Sequence, residues 1–362
     1  HAGYAGTAIA SGLVTNQVVV GGTFRVWKGL TFDHGSHRLH PSASWELLER
    51  IGGLLGEDML KRPRHGRIML LDRLLSFPLK PLELLLKLPP HFSRGVLIDM
   101  LTSPLRKAGD RATFSETLSA GLGKTISKYF YFPYSQKLWG LPPEEISPVQ
   151  ARRRIASGSA WKMAGKALAS LLGREKSRGY FFYPRRGFGE IALKAAEKLR
   201  ESGADIRLSS KAAAVFAPSG VEPGRVILEN GDHIAGDFIL STIPVTELIR
   251  AMGEFVPDNV VRSCGELRYR SMVFLYLELN CPCYTEYDAH YFPESHFRFS
   301  RMSEPKNYSD TGLPEKRTGL CFEIPCDQGD EAWTASGDEL RESVTAQLLQ
   351  AGFRGADADK GD

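Results

Sequence analysis

The residues best placed to do chemistry lie in the first forty positions. Gly21 and Gly22 lead through an apolar alternation (Phe24, Val26, Leu30, Phe32) into Asp33, Gly35, Ser36, His37 and His40. Positions without a Cβ let backbone lie flat against a ligand that a side chain would push away. Ahead of them, the run from His1 to Gly6 fits G-x-G-x-x-G with histidine where the first glycine belongs. Gly3 and Gly6 would then offer helix N-terminal amides to a pyrophosphate. Taken alone, the 21–41 stretch reads equally well as a hairpin with a polar turn. Its place just behind an incomplete dinucleotide fingerprint is what favours a flat ligand held by main chain.

The fingerprint departs from the usual unit in a second way. A complete βαβ unit takes about 30 residues and carries an acid about 20 residues past its glycines for the ribose. Here Val18, Val19 and Val20 run straight into Gly21 with no Asp or Glu before them, so the first unit is shortened. The His37 imidazole is suited to moving a proton near neutral pH, and equally to bonding the backbone of a tight turn, the reading placed first. Arg298 and Arg301 are candidates to bind an anionic substrate through paired hydrogen bonds, against the plainer reading of exposed strand-edge arginines. No Ser-His-Asp or Cys-His signature stands out.

The elements that must position these groups are bounded by length and composition. A chain of 362 residues exceeds one typical core, so two domains are expected, interleaved in sequence. A net charge of +4 is mild and lacks the concentrated stripe of a nucleic-acid binder. The five cysteines, all in the last third, read as free thiols of a reducing, cytoplasmic compartment. Cys281-Pro-Cys283 is too tightly spaced for a zinc knuckle, and no metal is expected. No signal peptide is expected, and no apolar run reaches the roughly 20 residues that span a bilayer. The Leu-rich stretch from Ile68 to Leu88 reads as a buried helical pair around a proline break; peripheral membrane contact through a surface anchor is the less favoured reading.

Periodicity assigns mostly helix from Trp45 to about Lys176, including a helix from Thr113 to Lys128 that opens with the capping-box spacing Thr113/Glu116. The aromatic stretch from Tyr129 to Pro143 reads as core or domain interface. After the Tyr183-Pro184 to Gly189 turn comes a helix carrying Ile191, Ala195 and Leu199 and ended by Gly203. Strands are expected at Ile206–Leu208, Val226–Leu228 and, buried, Asp237–Ser241, with a hairpin at Asn230-Gly231 and a helix from Val245 to Met252. Further strands are expected at Met272–Leu279, Tyr291–Arg301 and Leu320–Ile324, and a helix from Ser336 or Asp338 to Leu349.

Together these blocks resemble the flavin-dependent amine oxidase and protoporphyrinogen oxidase superfamily. The matching residues are Gly3 and Gly6, Gly21-Gly22, Phe32-Asp33 with Gly35, Pro133-Tyr134 to Trp139-Gly140, Tyr183-Pro184 to Gly189, and Ser241-Thr242-Ile243-Pro244. Gly35-Ser36-His37 followed by His40 is also similar to the G-P-H-x-x-H segment of UDP-galactopyranose mutases. The resemblance implies an α/β fold with a Rossmann-like FAD-binding domain assembled from discontinuous segments, a helical insertion and an α+β substrate domain. Residues 1–44 and 177–260 would build the FAD-binding domain, 45–176 the mostly helical insertion, and 261–362 the substrate-domain strands and helix. FAD would lie along Gly3, Gly6, Gly21 and Gly22, with Asp33, Gly35, Ser36 and His37 beside the isoalloxazine and main chain near Ala212 reaching the adenine. The implied reaction is hydride transfer from a C–N or C–C bond of a small-molecule substrate to flavin, the ring carrying the electrons. A sugar-nucleotide mutase working through reduced flavin and a cofactor-free fragment acting as a binding protein are the alternatives. The ribose acid and the C-terminal Gly-Asp segment of the family are not found.

Overall fold

The computed structural model describes residues 24–27, 29–102, 109, 112–155, 179–220, 222–309 and 314–353. Gly3, Gly6, Gly21 and Gly22 lie outside the described residues. The described chain divides into two units, one built from 24–26, 37–60 and 183–269 and the other from 27–36, 61–182 and 270–353.

Strands β1 (Phe24–Trp27) and β2 (Leu30–Asp33) are followed by helix α1 (Trp45–Leu55). The Ser44 side chain caps α1 by accepting the Leu47 N–H, and Ile51 and Leu55 turn inward. The next region is less helical than periodicity suggests. Strands β3 (Met59–Pro63), β4 (Gly66–Leu70) and β5 (Arg73–Phe77) come before helices α2 (Pro81–Leu86), α3 (Pro90–Thr102), α4 (Phe114–Leu122), α5 (Phe132–Trp139) and α6 (Pro148–Ile155). The Ile68–Leu88 stretch is therefore a β4–β5 hairpin running on to α2, not a pair of helices. Leu71 and Asp72 both adopt positive φ, 50° and 57°, between the paired Leu70 and Arg73. That is the backbone of a two-residue hairpin turn, normally marked by Asn-Gly, and a buried apolar run cannot be told from helix by periodicity alone. Helix α4 opens at Thr113 with both bonds of the capping box. It breaks at Gly123, which takes φ +100° where a Cβ would sit 2.9 Å from Asp99, and helical backbone resumes at Lys124–Ile126 and, with π-type bonding, Ser127–Tyr131.

Strand β6 (Tyr180–Pro184) leads into the first unit and the turn before helix α7 (Glu190–Glu201), which ends at Gly203 with φ +86°. Helix α7 packs on α1, and Arg185 ties the turn to Asp58 at 2.9 Å. Strands β7 (Ala212–Phe216), β8 (Gly224–Leu228) and β9 (His233–Gly236) form an antiparallel three-stranded sheet. The Asn230-Gly231 hairpin joins β8 to β9, with Gly231 at φ +89° and the Asp232 N–H donating to Asn230 Oδ1. Two expected strands are absent. Ile206–Leu208 runs into Ser209 at φ +54° instead of pairing. Asp237–Ser241 forms no strand and is not buried, since Phe238 is 95% and Leu240 92% exposed. Its three consecutive apolar residues read as a strand buried on both faces, and no neighbouring strand among the described residues meets it. Helices α8 (Val245–Met252) and α9 (Asp258–Gly265) follow.

The second unit is organised on a six-stranded sheet in the order β10-β13-β12-β11-β4-β5, where β10 is Ser271–Leu279, β11 Ala289–Tyr291, β12 Arg301–Ser303 and β13 Thr318–Cys326. All pairs are antiparallel except β11 with β4. Every residue of β13 is buried. Only the two ends of the Tyr291–Arg301 segment are strand; between them Phe292, Phe297 and Phe299 pack as mutually edged or tilted rings. One apolar cluster joins these rings and Phe322 to Leu340, Val344 and Leu348 of helix α11 (Gly337–Gln350), which follows the short α10 (Glu331–Thr334). Ser336 and Glu339 form the capping box of α11. A second cluster gathers Ile68, Leu75, Leu84, Phe92, Phe130 and Tyr134.

Glu83 fastens α2 to β5, accepting the Ser76 N–H at 2.7 Å, the Ser76 hydroxyl at 3.0 Å and Lys87 Nζ at 3.1 Å. Burial pushes its carboxyl up, but the bonds from Ser76 and Lys87 outweigh burial and hold it below its ordinary 4.5. A depressed carboxylate stabilises the fold above the unfolded value and loses that contribution as pH falls through the folded one. Urea unfolding of wild type and Glu83→Gln across the carboxylate range is expected to show a wild-type advantage present above about pH 4.5 that vanishes on acidification.

Candidate functional site

The end of β2 is built around two glycines. Phe32 is buried with its ring over Gly319 of β13, where a Cβ would lie 2.2 Å from the ring. The chain then turns at Gly35, φ +87°, where a Cβ would meet the Phe274 ring at 2.9 Å. Only glycine satisfies both the backbone and the space at this position. The turn is held from β10 and β13. Buried Asp33 accepts the Tyr276 hydroxyl on its carbonyl at 3.0 Å, and the Ser36 N–H donates to Glu323 Oε1 at 2.8 Å. The Ser36 hydroxyl bonds that of Tyr308, which is itself buried.

Arg301 joins the same arrangement through the same oxygen. It lies directly across the ladder from Glu323 and its guanidinium bonds Glu323 Oε1 at 2.5 Å. Burial opposes the charge of Arg301, yet the Glu323 carboxylate, with Tyr291 and Tyr134, raises its pKa well above the ordinary value. Asp33, Gly35, Ser36 and Arg301 are thus brought together, and one carboxylate links them. Sequence reading missed Glu323 and Tyr308. A signal for Glu323 was present: it is the one charged residue in the run Thr318–Cys326. Arg298 is placed differently, ion-paired with Glu331 and with its backbone N–H on Gln347 Oε1.

Aromatic rings line this region of the second unit. Tyr134 of α5 meets Tyr291 edge-on at 6.3 Å, and Phe77 tilts against Tyr291 at 4.8 Å. Lys137, one turn along α5, fixes that helix by donating to the carbonyls of Phe292 and Glu294, both at 2.6 Å, and of Phe299 at 3.2 Å. Burial pushes the Lys137 ammonium down to about 7, against the pull of Glu294.

The first unit carries His37 and Ala212. The His37 ring stacks on Phe188 at 5.3 Å and 26°, so the Arg185–Gly189 turn marked in the sequence supplies its support. His40 Nδ1 bonds the Ser42 hydroxyl at 2.6 Å. Ala212 opens β7 beside a register shift between Ala212 and Ala214. Among the described residues no group of three or more His, Cys, Asp or Glu could hold a metal ion, and burial raises the Cys281 and Cys283 thiols.

Removing one charge of a buried pair strands the other, at a cost of about 3–5 kcal/mol. Glu323→Gln is expected to lose that much in urea unfolding, and the double variant Arg301→Met, Glu323→Leu to recover most of it.

Comparison with known proteins adds the family. A model of the flavin-containing amine oxidoreductases matches residues 16–359. The fold is similar to that of reduced UDP-galactopyranose mutase, with TM-score 0.75 and 20% identity over 91% of this chain and 70% of that one. It is also similar to a protein of Exiguobacterium sp. 255-15 described as a protoporphyrinogen oxidase, with TM-score 0.66 and 16% identity over 94% and 77%. Putrescine oxidase bound to putrescine gives TM-score 0.60 and 14% identity over 98% and 80%. No curated protein matches the sequence significantly. These identities speak for the fold, a mixed α/β architecture of amine oxidase type. Because one family model runs through both units, the chain belongs to the flavin-containing amine oxidoreductase family and is a flavin-dependent oxidoreductase.

Proposed function

We propose that the protein binds its flavin as FAD and takes a hydride from a C–N or C–C bond of a small-molecule substrate. The observation that carries this reading is the Asp33–Ser36 turn, which has no room for a side chain at Gly35 and is gripped by Tyr276, Glu323 and Tyr308. A turn held this closely and without a side chain at Gly35 suits a flat conjugated ring lying against main chain. The stacked His37–Phe188 pair supports the same reading as a second flat surface. At Ala212 the irregular ladder leaves small-residue main chain, which suits an adenine.

Bound flavin supplies the two-electron acceptor, so the protein needs no nucleophile. Its own residues orient and exclude water. Glu323 holds the turn and neutralises Arg301, while Tyr134, Tyr291 and Phe77 supply apolar walls. The buried Nε of Arg301 has no hydrogen-bond partner among the described residues, and we assign it to an anionic substrate group. Arg298 would take part only by leaving Glu331. His37 stacks on Phe188, with its imidazole the candidate to move a proton.

A second reading, a sugar-nucleotide mutase working through reduced flavin, is favoured by Gly35-Ser36-His37 with His40 and by the likeness to UDP-galactopyranose mutase. The absorbance spectrum of the purified chain, with and without added FAD, tests both. Flavin bands are expected, and FAD at a hundredfold excess over its Kd should stabilise the fold by about 2.7 kcal/mol; a colourless chain with no thermal gain refutes FAD binding. Anaerobic substrate should bleach the oxidised bands, and a substrate that is converted without bleaching points to the mutase. His37→Ala is expected to weaken FAD binding and leave the pH profile of loaded enzyme unchanged. A loss of about 10²-fold or more with an altered profile would instead make His37 the proton carrier.

A further inference from the structure

Helix α3 turns Phe92, Val96 and Asp99 into the second unit and is locked in that rotation. A Cβ on Gly95 would lie 2.5 Å from Thr125 Oγ1, and Asp99 Oδ2 accepts the Thr125 N–H at 2.6 Å. With 100° per residue, the opposite arc gathers His91, Arg94, Leu97, Ile98 and Leu101. Ile98 is 58% and Leu101 81% exposed, and Leu86, at the end of the adjoining α2, is 79% exposed. A single exposed leucine is ordinary, whereas several on one rigid face mark an interaction surface.

The charges around this face have one sign. The 81–102 stretch and the 124–131 segment packed on α3 carry Lys87, Arg94, Lys124 and Lys128 against two acids. Both acids face inward commitments, Glu83 to Ser76 and Lys87, and Asp99 to Thr125. Lys124 and Lys128 are exposed, as is Arg94. Exposed aliphatic side chains with Arg94 among them and Lys124 and Lys128 on the adjoining segment suit the boundary of an anionic bilayer, while protein interfaces draw on aromatic anchors. No helix among the described residues is long and apolar enough to cross a membrane, so contact here is with its surface.

We propose that this α2–α3 face docks the protein on an anionic lipid bilayer. Leu86, Leu97, Ile98 and Leu101 enter the headgroup boundary, and Arg94, Lys87, Lys124 and Lys128 sit at the level of the phosphates. Co-sedimentation of the purified chain with vesicles of phosphatidylglycerol and phosphatidylcholine, or of phosphatidylcholine alone, tests this. Binding to the anionic vesicles is expected, at least tenfold weaker on the neutral ones. The triple variant Leu97→Ser, Ile98→Ser, Leu101→Ser and the variant Arg94→Glu should each lose at least tenfold while unfolding at the wild-type temperature. Wild type that stays in the supernatant overturns the proposal, as does a triple variant that binds like wild type. If instead wild type is a dimer in sedimentation velocity, the triple variant a monomer, and neither binds vesicles, the face belongs to a second copy and the lipid proposal fails.

Discussion

The carboxylate of Glu323 is the constraint on which the candidate site depends. A single oxygen, Oε1, accepts both the Ser36 N–H and the Arg301 guanidinium. Ser36 and Arg301 are far apart in sequence and come from different elements, so the shared acceptor sets the position of each relative to the other. The carboxylate is buried, and a buried charge is tolerated only when paired and hydrogen-bonded. Glu323 meets that condition with one cation and one backbone donor. The result is a turn whose position is set by β10 and β13.

Around that anchor, shape is set by what is missing. Gly319 makes room for the Phe32 ring and Gly35 for the Phe274 ring. Two absent side chains thus seat two aromatic ones, and the end of β2 is pressed onto β10 and β13. Charge plays the complementary part at α5, where Lys137 spends its ammonium on three backbone carbonyls between β11 and β12. Those carbonyls lie in the irregular segment 292–300 and have no sheet to satisfy them, so the lysine supplies what a ladder would have.

What could be read from the sequence follows from how local its cause is. Capping at Thr113 and Ser336, the Asn230-Gly231 hairpin and the helices at 190–201 and 245–252 depend on neighbours a few residues away, and each forms. The β4–β5 hairpin was hidden because its turn is Leu71-Asp72, residues that seldom take positive φ. The exposed 237–241 segment was misread because a short apolar run carries no information about whether a second strand arrives. At the candidate site the residue types of the 33–36 turn were legible. Glu323 and Tyr308 were not, since both act over long sequence separations, as partners of Ser36.

The parallel pair of β4 with β11 sets His290 beside Arg67, so a strand made early in synthesis must wait for one made late. Until β11 leaves the ribosome, the apolar edge of the nascent β4–β5 hairpin has no partner in its own sheet. Neither unit is a contiguous piece of chain: the first draws its last residues from 183–269, and the second also needs residues from 270 onward. A sheet so threaded pairs late, because the loop between distant segments must close before their contacts can form.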